Sequence, residues 1–206
     1  MTHSKTMIYI VRHGETDWNL EEKMQGHTDI PLNAKGISQA QDIARDLQKI
    51  PLDIIYSSPL SRALETATII NTYHKAKIIT DNALRERRFG ELEGKTYKEI
   101  NAYHPALLFH ESWNFPHYRP PDGESVNDIK IRVSAFAQKM LKENQGKSFL
   151  IVAHGVTLRI LIGSFIGIPP DQLTGVRIKN AALTIIEISK GIPTLHVINW
   201  QAAGKI

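Results

Sequence analysis

At 206 residues the chain has the size of one α/β domain with a small insertion, and 42% hydrophobic with 22% charged residues is a globular composition. The absence of cysteine excludes disulfide scaffolds, thiol catalysis and Cys-based zinc sites; no apolar run nears the ~20 residues of a membrane span, and a cytoplasmic protein without a membrane partner is expected. The net charge of +4 suits an anionic ligand, but Lys and Arg are scattered, with no basic stripe interleaved with aromatics to hold nucleic acid.

Met1 to Thr6 is polar, and the five apolar residues that follow are too few for a signal-peptide core. That run, Met7 to Val11, instead predicts a buried strand. It feeds directly into Arg12-His13-Gly14-Glu15-Thr16-Asp17-Trp18-Asn19. A guanidinium, an imidazole and a glycine at a strand end suit a phosphate group. Arg offers a planar fork for oxyanions, His can attack or donate, and Gly lets a backbone N–H approach. A helix is predicted next, with Asn33 as N-cap and Ile37, Ala40, Ala44 and Leu47 on one face.

Leu52 to Tyr56 predicts a second strand, followed by Ser58 as N-cap and Pro59 as first residue of a helix. Apolar residues at Leu60, Ala63, Leu64, Ala67 and Ile70 keep near-helical spacing, which places Arg62 in the first turn, where free N–H groups already favour an anion. Ala76 to Thr80 is a third strand candidate. From Thr96 to Pro121 the α/β rhythm breaks into a stretch rich in aromatics, His and Pro. Such an excursion either packs a satellite core or forms a lid over the substrate mouth. After the polar turn Asp122-Gly123-Glu124-Ser125, a helix is predicted from Val126, Ile129, Val133, Phe136, Ala137 and Met140. Ser148 to Val152 reads as a strand that ends in Ala153-His154-Gly155, the second His-Gly pair at a strand end, with a helix from about Val156 to Ile166. Leu183 to Ile188 and Leu195 to Asn199, separated by Lys190-Gly191, predict an antiparallel edge hairpin.

Strands alternating with helices predict a three-layer α/β/α fold around a mostly parallel sheet. In open sheets of this kind ligands bind beyond the carboxyl ends of the strands. Three such ends, carrying Arg12 and His13, Arg62, and His154, are expected to converge on one pocket.

These segments carry a resemblance. RHGETDWN (12–19), SSPLSRALETA (57–67), LRERRFGELEG (84–94), PPDGES (120–125) and VAHG (152–155), in that order, resemble the histidine phosphatase, or phosphoglycerate mutase-like, superfamily. The likeness runs from Met7 to about Ile188. It implies the phosphoglycerate mutase-like fold over one domain, 1–206, with an insertion at about 96–121. It also implies a phosphatase or mutase activity. Glu86 matches the family's acid position, Gln25 and Gly26 match positions that touch substrate in relatives, and Glu93-Gly94 matches a structural turn.

His13 is the expected nucleophile, attacking as a neutral imidazole that Arg12 and Arg62 keep from protonating. Arg12 and Arg62 stabilise charge on the phosphoryl oxygens, His154 and Asn19 add donors, and Thr16 and Gly155 are further candidates to bind the phosphate or substrate. Thr16, with Glu15, orders the loop. Glu86 protonates the leaving oxygen and then activates water; Glu91, Glu93 and Glu65 compete for that role. The expected partner is a small phosphorylated metabolite, with no cofactor and no metal, because neither a His-Glu-x-x-His pattern nor clustered carboxylates occurs. The chain acts as a monomer or homodimer.

A phosphatase admits water to the phosphohistidine, whereas a mutase excludes it and holds a second anionic group. Mutases resembling this chain carry paired arginines in the inserted segment; here 96–121 holds the single Arg119. Glu86-Arg87-Arg88-Phe89-Gly90 departs from the mutase pattern at two positions. Phosphatase is therefore preferred over mutase, and both over a phosphate-binding module without catalysis.

Overall fold

The computed structural model describes residues 5–103, 116–173 and 175–201. Six strands form one sheet: β1 (Thr6–Arg12), β2 (Ile54–Ser57), β3 (Lys77–Thr80), β4 (Ser148–Ala153), β5 (Leu183–Ser189) and β6 (Ile192–Trp200). Their order across the sheet is β3-β2-β4-β1-β5-β6. The first four run parallel, β5 is antiparallel to β1, and β6 pairs with β5 as the expected edge hairpin.

Because side chains alternate along a strand, β1 supplies both faces of the sheet. Ile8 and Ile10 join a core with α5 (Val126–Glu143) and α6 (Gly155–Ile166). Tyr9 and Val11 join the opposite core with α2 (Ala34–Leu47) and α3 (Ser61–Ile70). The central strands, apolar on both sides, are thus covered by helices on both sides. That is the expected three-layer architecture.

The caps follow local chemistry. Asn33 accepts from Gly36 N at the start of α2, as its side-chain type predicted. Ser125 and Asp128 form a capping box on α5. The start of α3 is a correction. Ser58 and Pro59 precede the helix, which begins at Ser61 with Leu60 as a cap that offers no side-chain bond. Asp29, from a distant loop, accepts from both Ser61 N and Ser61 Oγ at 2.8 Å and supplies the missing acceptor. Arg62 keeps its place in the first turn.

Of the aromatic stretch, α4 (Tyr97–Tyr103) is a short helix whose Ile100 packs with Met24, Phe89 and Leu92 in a small third cluster. Residues 104–115, the middle of the 96–121 stretch that was expected to pack a satellite core or form a lid, lie outside the described part of the chain. Among the described residues no helix is long and apolar enough to cross a membrane.

Candidate active site

Strand register builds the site. Arg12 stands opposite Ala153, and Ser57 opposite Val152. The chains leave the sheet at one level and remain tied there, His13 N donating to Ala153 O and Ser58 N to Val152 O, both at 3.0 Å. The two histidines consequently meet, with ring centroids 5.0 Å apart.

His13 is buried. Its Nδ1 lies 2.7 Å from Gly14 O, and since a carbonyl only accepts, Nδ1 carries the proton and Nε2 keeps its lone pair. Burial, followed by the Arg12 and Arg62 charges, holds this imidazole well below the usual histidine range. The loop behind it is clasped closely. Gly14 N donates to Thr66 Oγ1 at 3.1 Å, and a Cβ on Gly14 would stand 2.4 Å from Gly36 O in α2.

Arg62 is fully buried, and burial brings its guanidinium down to about 10, still a cation at neutral pH. It donates to Gly26 O at 2.7 Å, to Thr28 O at 2.9 Å and to His154 Nδ1 at 3.2 Å. Gly26, at φ 52°, takes a left-handed conformation in which a Cβ would strike the Glu93 carboxylate. His154 then has its proton on Nε2, 2.8 Å from Ser58 Oγ. Arg12 donates through NH1 to Ile178 O at 2.7 Å, while its buried Nε has no partner among the described residues; the same holds for the buried Oε1 of Gln25. Polar groups in that state call for a ligand or water.

Glu86 completes the cluster. Its Oε2 accepts from Val156 N, and its Oε1 from Thr157 N and Thr157 Oγ1, each at 3.2 Å, so the carboxylate sits at the N-terminus of α6. A Cβ on Gly155 would be 3.7 Å from Arg12 Cζ and 3.8 Å from Glu86 Oε2, so guanidinium and carboxylate both lie against that residue. Tyr97, at the start of α4, lies within electrostatic reach of Arg12 and Glu86.

Thr16 and Asn19 form a capping box on α1 (Asp17–Leu20), and Asn19 Oδ1 also accepts from Asn180 Nδ2 at 3.0 Å. Asn180 further donates to the carbonyls of His13 and Gly14. Glu93 has the structural part expected of it: it accepts from His27 N, Thr28 N, Thr28 Oγ1 and Phe89 N. Burial raises its carboxyl, but these bonds outweigh that and leave it below the ordinary range. Ser58, expected only as a helix cap, and Thr66, Thr157 and Asn180 were not expected in the site. Thr157, three residues after His154, and Ser58 and Thr66, four residues either side of Arg62, had a signal in their place in the motifs; Asn180 meets the site only through the fold.

A model of the histidine phosphatase superfamily (branch 1) matches residues 8–201. Among curated proteins, the uncharacterized phosphatase PhoE of Bacillus subtilis (strain 168) is 36% identical over 90% of both chains. The probable phosphoglycerate mutase GpmB of Enterobacter sp. (strain 638) is 34% identical over 96% of this chain and 88% of its own. Among solved structures, the alpha-ribazole phosphatase from Shigella flexneri superposes with a TM-score of 0.86 at 29% identity, covering 96% of this chain and 98% of that one.

Proposed function

Because the chain belongs to the histidine phosphatase superfamily, we propose that it is a phosphomonoester hydrolase acting through a covalent phosphohistidine at His13. One observation carries the reading: His13 donates Nδ1–H to Gly14 O and keeps Nε2 as a lone pair in a buried site between the charges of Arg12 and Arg62. That is a nucleophile prepared to attack phosphorus.

In the first step Nε2 attacks, the P–O ester bond breaks, and Glu86 gives its proton to the leaving oxygen. In the second step water attacks the phosphohistidine while Glu86 takes a proton from it. Inorganic phosphate leaves and His13 is restored. Arg12 and Arg62 neutralise charge on the equatorial oxygens, the dominant contribution in phosphoryl transfer. Those two cations supply what a metal would, so EDTA is expected to leave turnover unchanged.

The substrate is a small phosphorylated metabolite, a phosphosugar or phosphoglycerate or a similar ester, and the enzyme works in the cytoplasm as one domain over 1–206. Relatives named as mutases favour a second reading, phosphoglycerate mutase-type transfer. Against it, Arg119, the single arginine of 96–121, is paired with Asp128 at 2.8 Å on the surface.

Trapping the phosphoenzyme tests the mechanism. Wild type should yield an acid-labile, base-stable label, and His13→Ala should yield none, with turnover down by at least about four orders of magnitude. Near-normal hydrolysis by that variant would remove His13 from the nucleophile's place. Feeding 3-phosphoglycerate and measuring inorganic phosphate against the 2-isomer separates phosphatase from mutase.

A further inference from the structure

Arg132, on α5, spends its guanidinium on the segment that carries Glu86. Nε and NH2 form a fork with the Glu124 carboxylate, both bonds at 2.9 Å. NH1 donates to Ala83 O at 2.7 Å and Arg85 O at 2.9 Å, and NH2 to Glu86 O at 2.9 Å. These five bonds match the five N–H groups of an arginine. Three of the acceptors are consecutive or near-consecutive carbonyls, the first in the single 3-10 turn Asn82–Leu84 and the other two just beyond it, outside any strand or α-helix. Glu124 closes the clamp: its Oε2 accepts from Arg88 N, its backbone N donates to Arg88 O, and its carbonyl accepts from Arg87 Nε.

We propose that Arg132 is a positioning residue for the proton donor, fixing the main chain of Glu86 to α5 while the N-terminus of α6 holds its carboxylate. The inference rests on the reading of Glu86 as acid. His27 Nε2 also donates to Glu86 O, at 2.9 Å, but from a loop rather than a helix. Loss of the Arg132 fork leaves Glu86 O to that loop alone, with Thr157 Oγ1 on Arg85 O at 2.7 Å and the Glu124 contacts to Arg88 as the flanking anchors. The carboxylate then shifts against the leaving oxygen while His13, Arg12 and Arg62 stay in place. A displacement of about 1 Å is enough to cost about a hundredfold in rate. Lys cannot replace the device, since it has neither the planar fork nor five donors.

The test measures phosphorylation of His13 in single turnovers by rapid quench, using β-glycerophosphate and p-nitrophenyl phosphate. Arg132→Gln should slow the alkyl ester about a hundredfold. The nitrophenyl ester, whose leaving group departs without a proton, should slow only about threefold or less. Arg132→Lys should recover part of the alkyl rate. If Arg132→Gln does not fold, as judged by circular dichroism, Arg132→Lys and Glu124→Gln carry the same comparison. Equal losses on both esters, or no loss on either, overturn the inference. Glu86→Gln runs alongside. A uniform loss there overturns the acid assignment itself, whereas an ester-dependent loss in Glu86→Gln with a uniform one in Arg132→Gln overturns only the clamp.

Discussion

Arg62 donates its Nε–H to Nδ1 of His154 across 3.2 Å, and this bond determines which nitrogen of the second histidine bears the proton. A guanidinium has no acceptor, so Nδ1 must accept and Nε2 must be protonated. Burial and the Arg62 charge hold His154 well below the usual range, so its ring is neutral at pH 7. The same guanidinium grips the carbonyls of Gly26 and Thr28. One cation thus orients an imidazole, ties down the loop at Gly26 and Thr28 and, on the proposed reading, supplies charge to the phosphoryl group.

Arg62→Ala should therefore lower kcat/KM by about 10²–10³, the loss typical of one preorganised donor to a developing oxyanion. Arg62→Lys restores charge without the fork and should recover only part of it. Steady-state kinetics on one phosphate ester decides the matter. A rate near wild type in the alanine variant would mean that Arg62 serves packing alone.

The depressed His13 imidazole has a direct pH signature. An ordinary histidine is half protonated at about pH 6.5. With its folded value well below that, His13 should remain neutral, with Nε2 unprotonated, as pH falls from 8 to 6. Nitrogen-detected NMR of labelled histidine reads this without interference from the substrate's own titration. A midpoint near 6.5 for His13 would contradict the burial argument.

Stability should follow the same protons. In the unfolded chain His13 and His154 titrate near the ordinary value, whereas the folded protein holds both well below it. Between those limits the unfolded state binds more protons, so stability is fully present above about pH 6.5 and is lost as pH falls below it. Two such groups give a slope of up to about 2.7 kcal/mol per pH unit. His27 and His74, lowered chiefly by burial, act in the same direction. Urea midpoints at pH 7.5, 6 and 5 should fall in that order, and equal midpoints would refute the linkage.

Gly36→Ala sets helix propensity against packing. Alanine in α2 should add about 1 kcal/mol of helix stability. Its Cβ, however, would stand 2.1 Å from Glu15 O, a backbone atom in the loop just after His13. Relieving that overlap should cost about 1–3 kcal/mol and displace the nucleophile. A lower melting temperature together with a lower kcat is expected; a melting temperature above wild type would show that the loop yields freely.

Much of this was legible before any fold was known, because it depends on neighbours in the chain. Alternating or continuous apolar runs marked all six strands, Asn33 and the 122–125 turn marked helix starts, and the two His-Gly pairs marked the strand ends that carry the site. The helix start at Ser61 was misjudged for a physical reason. Ser58 looked like a local cap, but its hydroxyl meets His154, 96 residues away, and Asp29 caps the helix instead.

The amino-acid order alone determined the layered architecture, the candidate site side chains and the strand ends near which they lie, since period, cap chemistry and strand termini are local properties. Only the tertiary structure decided the burial of His13, the tautomer of His154, the seat of Glu86 on α6, the hold of Asn180 on the loop after His13 and that of Arg132 on the segment that carries Glu86. Each of those last four depends on a bond between groups brought together by strand register and helix packing, and no local pattern encodes which distant donor will arrive; the His13 tautomer needs only its neighbour Gly14, but the burial that makes that bond count comes from the same packing.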